Sequence, residues 1–278
     1  MYYSTSCLSD RYGLSQILDI YNDRGIKNVE LGVCNEPDIE LNILKNYDFN
    51  YIVHHYFPPP KYPFIINLAS QNEQILNKSL FQIIKSIDFC ADFGINLFSF
   101  HAGFRIDPDL NFKFTPENIP DYETSFNTFK ESVVEIVDYA ERSGVIVAVE
   151  NNVIQDNNLV DGQNKLLLMC ELWEFERLFN EISSDNLGIL LDIGHLKVSS
   201  NVLQFDSEEF ISKLKDKTFA VHIHENNGKV DEHRCIKKGD WSFDIVDRYF
   251  KNNDIPVILE FSLVNSVGIP AKVKYPIF

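Results

Sequence analysis

Residues 145–150 read V-I-V-A-V-E, an apolar and β-branched run that stops on a carboxylate. The same pattern returns at 190–192, L-L-D, and at 257–260, V-I-L-E. Such runs favour extended chain. Working outward from them, runs of this kind occupy 2–7, 28–33, 51–57, 97–101, 145–150, 188–192, 219–224 and 256–261. Segments of helical period lie between them, at 15–24, 71–93, 122–142, 171–181, 207–215 and 243–252. The longest carry apolar stripes: Ile75, Leu80, Ile83, Ile84 and Ile87 in one, and Phe126, Phe129, Val133, Ile136 and Val137 in another. Strand–helix alternation demands parallel strands covered by helices. Eight strands in 278 residues argue for closure into a (β/α)8 barrel rather than an open doubly wound sheet. A single barrel domain over 1–278 is expected, with no linker or low-complexity tract. Residues 265–278, rich in Pro, Gly and Val, predict an irregular or missing last helix.

Two stretches break the rhythm. Residues 57–64 carry Pro58, Pro59, Pro60 and Pro63, which forbid helix and interior strand. Residues 105–121 are polar and loop-like. Both follow a strand directly, which places them at the mouth of a barrel, where catalytic loops gather.

The bulk numbers bound the function. Hydrophobic residues make up 45% and charged residues 24%, as in ordinary globular proteins. The formal net charge is −16, from 25 basic and 41 acidic side chains. That field repels nucleic acid and anionic membranes unless a basic patch overrides it. The densest basic cluster is only Lys213, Lys215 and Lys217, so neither is an expected partner. The five cysteines are odd in number and form no C-x-x-C pair, which weakens disulfide and zinc-knuckle readings. No secretory pattern or bilayer-length apolar run is present, and a cytoplasmic location is expected. A homo-oligomer is compatible with the sequence.

The histidines carry the chemistry. Of His54, His55, His101, His195, His222, His224 and His233, all but His233 fall at or just past the end of an expected strand. Glu150, Asp192 and Glu260 hold matching positions. Each alone reads equally well as a hydrogen-bonded structural group or a helix cap. Their coincidence on six successive strand ends points instead to a divalent metal site, since imidazole and carboxylate together suit zinc, manganese, cobalt or iron.

Seven short motifs in order give the chain a resemblance. They are H-H-Y at 54–56 followed by I-N-L-A-S at 66–70, F-H-A-G at 100–103, V-E-N at 149–151, L-D-I-G-H at 191–195, V-H-I-H-E-N at 221–226, D-E-H at 231–233 with Gly239, and L-E at 259–260. The set resembles the xylose-isomerase-like barrel superfamily, which includes sugar isomerases and epimerases and zinc-dependent apurinic-site endonucleases. The resemblance implies a core metal site of Glu150, Asp192, His222 and Glu260. In the endonuclease branch, which binds three metals, the added ligands fall on His54, His101, His195, Asp231 and His233. One to three ions per chain are thus implied, zinc or manganese first, with cobalt or magnesium as alternatives. His54 and His55 are adjacent, so only one can point inward. His54 is preferred, with His55 behind it or on substrate. The run K-K-G-D-W at 237–241 departs from the family's glycine pattern after the D-x-H loop.

Two reactions suit such a site. The favoured one is a sugar or sugar-phosphate isomerase or epimerase of carbohydrate metabolism. There the metal polarises a carbonyl, Glu150 and Glu260 move the proton, and His195 bonds a substrate hydroxyl. The alternative is a multi-zinc phosphodiesterase or other hydrolase acting on a small substrate. Arg105, just past His101, is the expected phosphate or carboxylate contact. Glu30, His55 and Trp241 are further candidate substrate contacts, and Tyr56 and Phe57 candidate pocket walls.

Overall fold

The computed structural model describes residues 1–34, 36, 39–251 and 253–261. The chain alternates β1 (Tyr2–Ser4), α1 (Leu14–Asp23), β2 (Asn28–Leu31), β3 (Asn50–His54), α2 (Glu73–Phe93), β4 (Leu97–His101), α3 (Tyr122–Ser143), β5 (Ile146–Glu150), α4 (Leu172–Glu181), β6 (Leu187–Asp192), α5 (Ile193–Leu203), α6 (Ser207–Leu214), β7 (Thr218–Ile223), α7 (Trp241–Tyr249) and β8 (Val257–Leu259). Each strand pairs in parallel with the next, and β8 returns to β1, so the sheet is a closed eight-stranded barrel.

Strand alternation sorts the side chains. Val147, Val149, Ile189, Leu191, Val221 and Ile223 join the large core shared with the helices. The alternate residues face inward. Ile52, Leu97, Ala148, Leu190, Ala220 and Ile258 form a separate apolar cluster drawn from six strands. The long helices bury their stripes against the outer face: Phe126, Phe129, Val133 and Ile136 of α3 are fully covered. Polar side chains start these helices and left-handed glycines stop them. Asn72 and Asp121 cap the first turns of α2 and α3, and Gly94 and Gly144 end the same helices.

Three local readings change. The first strand stops at Ser4, where the Ser4 hydroxyl caps a 3-10 turn over Thr5–Cys7. Between β2 and β3, where no helical segment is expected, the described residues form a 3-10 helix, Leu41–Asn46. After β6 a helix not expected from the sequence, α5, begins with no intervening loop, because the Asp192 carboxylate accepts the His195 backbone N–H at 2.7 Å. The expectation for the last helix lies outside the described residues. No described helix is long and apolar enough to cross a membrane.

Candidate metal centre

The mouth of the barrel lies two residues beyond the inner apolar cluster. His54 follows Ile52, Glu150 follows Ala148, Asp192 follows Leu190, His222 follows Ala220 and Glu260 follows Ile258. A strand repeats its facing every second residue, so these side chains point into the same lumen. All but Glu260, which is half-buried, are fully buried.

Three groups of donors stand at the mouth, beside a fourth in which Glu30 joins His54 and His222 beneath them. In the first, His101 Nε2 lies 3.0 Å from Glu150 Oε2, and His54 Nε2 lies 3.5 Å from the same oxygen. The two ring nitrogens are 3.1 Å apart. In the second, His222 Nδ1 stands 3.4 Å from Glu150 Oε1, 3.8 Å from Asp192 Oδ2 and 3.0 Å from Glu260 Oε2. In the third, Asp231 Oδ2 lies 3.0 Å from His233 Nε2 and 3.3 Å from His195 Nε2. Glu150 contributes to both the first and the second group, one oxygen to each.

The residues fit cations. Ligands about 2.1 Å from a tetrahedral ion sit roughly 3.4 Å from one another, close to these separations. Both oxygens of Glu150, Asp192 Oδ2, His222 Nδ1 and Asp231 Oδ1 are buried and have no hydrogen-bond partner among the described residues. Leaving them so would be costly. They approach one another without aligning a proton, as atoms aimed at a common point do. Burial alone would raise the Glu150 carboxyl, but the imidazoles of His101 and His54 outweigh it and hold it well below the usual range. Burial opposes charge on His222 and His195. Glu30 and Glu260 around the first, and Asp192 and Asp231 around the second, still raise both well above an ordinary imidazole. The acids of the mouth are thus favoured as anions by positive charge beside them, which imidazolium or a bound cation can supply.

A second layer aims the ligands. Glu30 Oε1 takes the Nε2 proton of His222 at 2.8 Å, leaving Nδ1 for the centre. The Ser99 hydroxyl meets His54 Nδ1 at 2.9 Å. His195 Nδ1 donates to the Asn151 carbonyl at 2.9 Å, and His233 Nδ1 to the Glu260 carbonyl at 3.1 Å. The Asn151 side chain also clasps the Asp192 backbone, N–H at 2.8 Å and C=O at 3.0 Å. Asn67 does the same for Phe104, and Gly103 lets that loop close, because a Cβ there would lie 2.7 Å from Ala69 Cβ.

Above the donors opens a cavity of about 580 Å³, walled by the loops after β4 and β5. Phe104, Phe112 and Phe114 supply apolar wall, and Lys113 is the only lysine or arginine lining it among the described residues. The Asp109 side chain accepts the N–H groups of Asn111 and Lys113 at 2.8 and 2.9 Å, which shapes that loop tip.

Residues 40–264 match the family described as Xylose isomerase-like TIM barrel. The chain belongs to this family. The chain is 30% identical over 250 residues to "Uncharacterized protein MJ1614" of Methanocaldococcus jannaschii, covering 86% of this chain and 83% of that one. It is 26% identical over 269 residues to Apurinic-apyrimidinic endonuclease 1 of Plasmodium falciparum, covering 89% of this chain but only 40% of that relative. Among solved structures, a D-tagatose 3-epimerase-like protein superposes with a TM-score of 0.72 at 23% identity, over 95% of this chain and 92% of that one.

Every metal ligand implied by the family resemblance falls in one of the three groups: Glu150, Asp192, His222, Glu260, His54, His101, His195, Asp231 and His233. Of the adjacent pair, His54 points inward. His55 is buried behind it, its ring stacked on His101 at 4.4 Å and its Nδ1 accepting the His101 backbone N–H at 3.3 Å. The four expected substrate contacts do not line the cavity, nor do the two expected pocket walls. Besides His55, Glu30 is fully buried against His222, and Trp241 starts α7 under the Lys197 amine. Arg105 turns its guanidinium to the Pro120 carbonyl at 2.6 Å. Phe57 packs on Phe89 in the core, and the Tyr56 hydroxyl accepts the Ile66 N–H. Position after a strand end located these residues near the mouth, but not the direction of their side chains. Sequence reading assigned no role to Ser99, Asn151 or His224. The V-E-N and H-I-H motifs held the signal for the last two.

Proposed function

We propose that this member of the xylose isomerase-like family is a multinuclear metal-dependent hydrolase of small phosphate esters. One observation carries the reading: His101 and His233, superfluous to a single-ion epimerase, each sit in a donor group of their own beside the four-donor core. When bound, the ions would supply hydroxide at neutral pH and a clamp for phosphoryl oxygens. Glu150 would bridge two of them through its two oxygens. The Lys113 ammonium would face the substrate phosphate, and Phe112 and Phe114 would keep bulk water off it. The endonuclease relative acts at apurinic or apyrimidinic sites by its name, and its likeness along 89% of this chain supports a hydrolytic reading. A net charge of −16 with one lysine and no arginine in the described lining argues for a substrate smaller than duplex DNA. Elemental analysis of the purified protein should find two or three zinc or manganese ions per chain. The loaded enzyme should cleave bis(p-nitrophenyl) phosphate but not abasic duplex. A single ion per chain with no phosphoester cleavage refutes the proposal.

The isomerase or epimerase reading keeps one specific support. Glu150 and Glu260 approach the same His222 nitrogen from different strands and would flank a ketose held there. It requires deuterium from solvent to enter a substrate carbon in a ketose panel with manganese or cobalt. Absence of exchange alongside phosphoester cleavage separates the two.

A further inference from the structure

We propose that His224 is a fourth protein donor to the third group, closing it with His195, Asp231 and His233, so that a cation there keeps no position for substrate. The inference rests on the multinuclear reading above. It assigns one of the ions to holding the mouth together and leaves turnover to the pair that shares Glu150.

The alternation that turns Ala220 and His222 into the lumen carries one step further to His224, just past the end of β7. His224 is 0% exposed, and neither ring nitrogen has a hydrogen-bond partner among the described residues. An imidazole so placed is a liability unless a nitrogen is used. Its Nε2 lies 3.5 Å from Asp231 Oδ1 and 3.2 Å from Asp192 Oδ1. Its ring stacks on that of His233, centroids 3.9 Å apart and planes 13° from parallel. His195 and His233 each commit Nδ1 to a backbone carbonyl and turn Nε2 to Asp231. His224 turns its Nε2 the same way. Three imidazoles and a carboxylate then converge, a set that satisfies a tetrahedral zinc without water; closed sites of this kind hold structure, whereas catalytic ones keep a position open.

The chain also keeps space for this ring. A Cβ on Gly194 would lie 2.0 Å from His224 Cε1 and 2.3 Å from Nε2. Gly194 is the second residue of α5, where glycine weakens a helix. Asn226 then fastens the approach, its side-chain amide donating to the Gly194 carbonyl at 2.9 Å.

The test uses the full chain loaded with zinc and dialysed against rising chelator. Wild type should keep one ion per chain at chelator concentrations at least tenfold above those that strip the others. X-ray absorption of that retained zinc should show three imidazole ligands. His224→Asn should lose this retention at least tenfold while the other ions still bind. Cobalt loaded into the same position should lose the intense visible absorption of four-coordinate geometry. Gly194→Ala, which displaces the ring but keeps the imidazole, should do the same and covers a failure of the first variant to fold. Full retention and an unchanged cobalt spectrum in both variants overturn the role of His224 alone. Wild type that binds no more than one ion overturns the multinuclear reading and this inference together.

Discussion

The lumen holds two layers built by the same strands two residues apart, and they obey opposite rules. The lower layer, with Ile52, Ala148, Leu190, Ala220 and Ile258, packs as an apolar cluster. The upper layer substitutes His54, Glu150, Asp192, His222 and Glu260 on the same faces and leaves several polar atoms unbonded among the described residues. Strand geometry therefore supplies direction to both, and residue identity alone decides whether a layer packs or binds. A second pair sharpens the lesson. Glu150 and Glu174 are both buried glutamates. Glu150 sits among imidazoles and is held low. Glu174 caps the start of α4, and burial raises its carboxyl to about 7 even though the Met169, Glu171 and Cys170 backbone N–H groups pull the other way. Neighbouring positive charge, not burial, separates the two.

Making the upper layer resemble the lower should have the largest effect. Glu150→Leu removes the carboxylate common to two donor groups. Metal content should fall by at least one ion per chain, and phosphoester cleavage by on the order of 10³-fold or more, as measured by elemental analysis and steady-state kinetics. Damaging the lower layer should do the converse. Leu190→Ala should cost about 2–5 kcal/mol in denaturant unfolding and leave the metal content of the folded fraction unchanged. Loss of metal in this variant would show that the layers are not separable.

Glu174 gives a pH test. The folded carboxyl keeps its proton up to about pH 7, whereas an unfolded glutamate releases it near 4.5. Its contribution to stability is therefore complete below pH 4.5 and lost as pH rises through about 7. Glu174→Gln should remove that loss, so its stability relative to wild type should rise across this window by about 1–3 kcal/mol, read from melts at pH 4.5 and 8. The smallest effect concerns aim. Glu30→Gln keeps the shape beside His222 but removes the anion, and metal affinity at the core group should drop by roughly 10- to 100-fold in competition with a chelator. An unchanged affinity would mean that packing alone orients His222.

Much of this was legible before the fold. The E, D and E that end 145–150, 190–192 and 257–260 marked the strand ends, and the histidines beside them marked the chemistry. What misled was direction. Arg105 is near the mouth in sequence but turns to Pro120, and Phe57 turns to the core. A loop residue has no fixed period, so its facing follows from contacts made far along the chain. The same is true of α5: its amphipathic signal is weak because Ile193, Leu196 and Val198 are buried around much of its circumference, although a cap at Asp192 is compatible with the sequence.

By itself, then, the amino-acid order determined the eight-strand alternation and the donors at the last six strand ends, because strand period and residue chemistry are local properties. Only the closed barrel decided which donors share an ion, that His54 rather than His55 faces the lumen, and that Glu30 reaches His222 across 192 residues of chain. Those pairings depend on the stagger of neighbouring strands around the barrel, a relation between distant segments that no local stretch encodes.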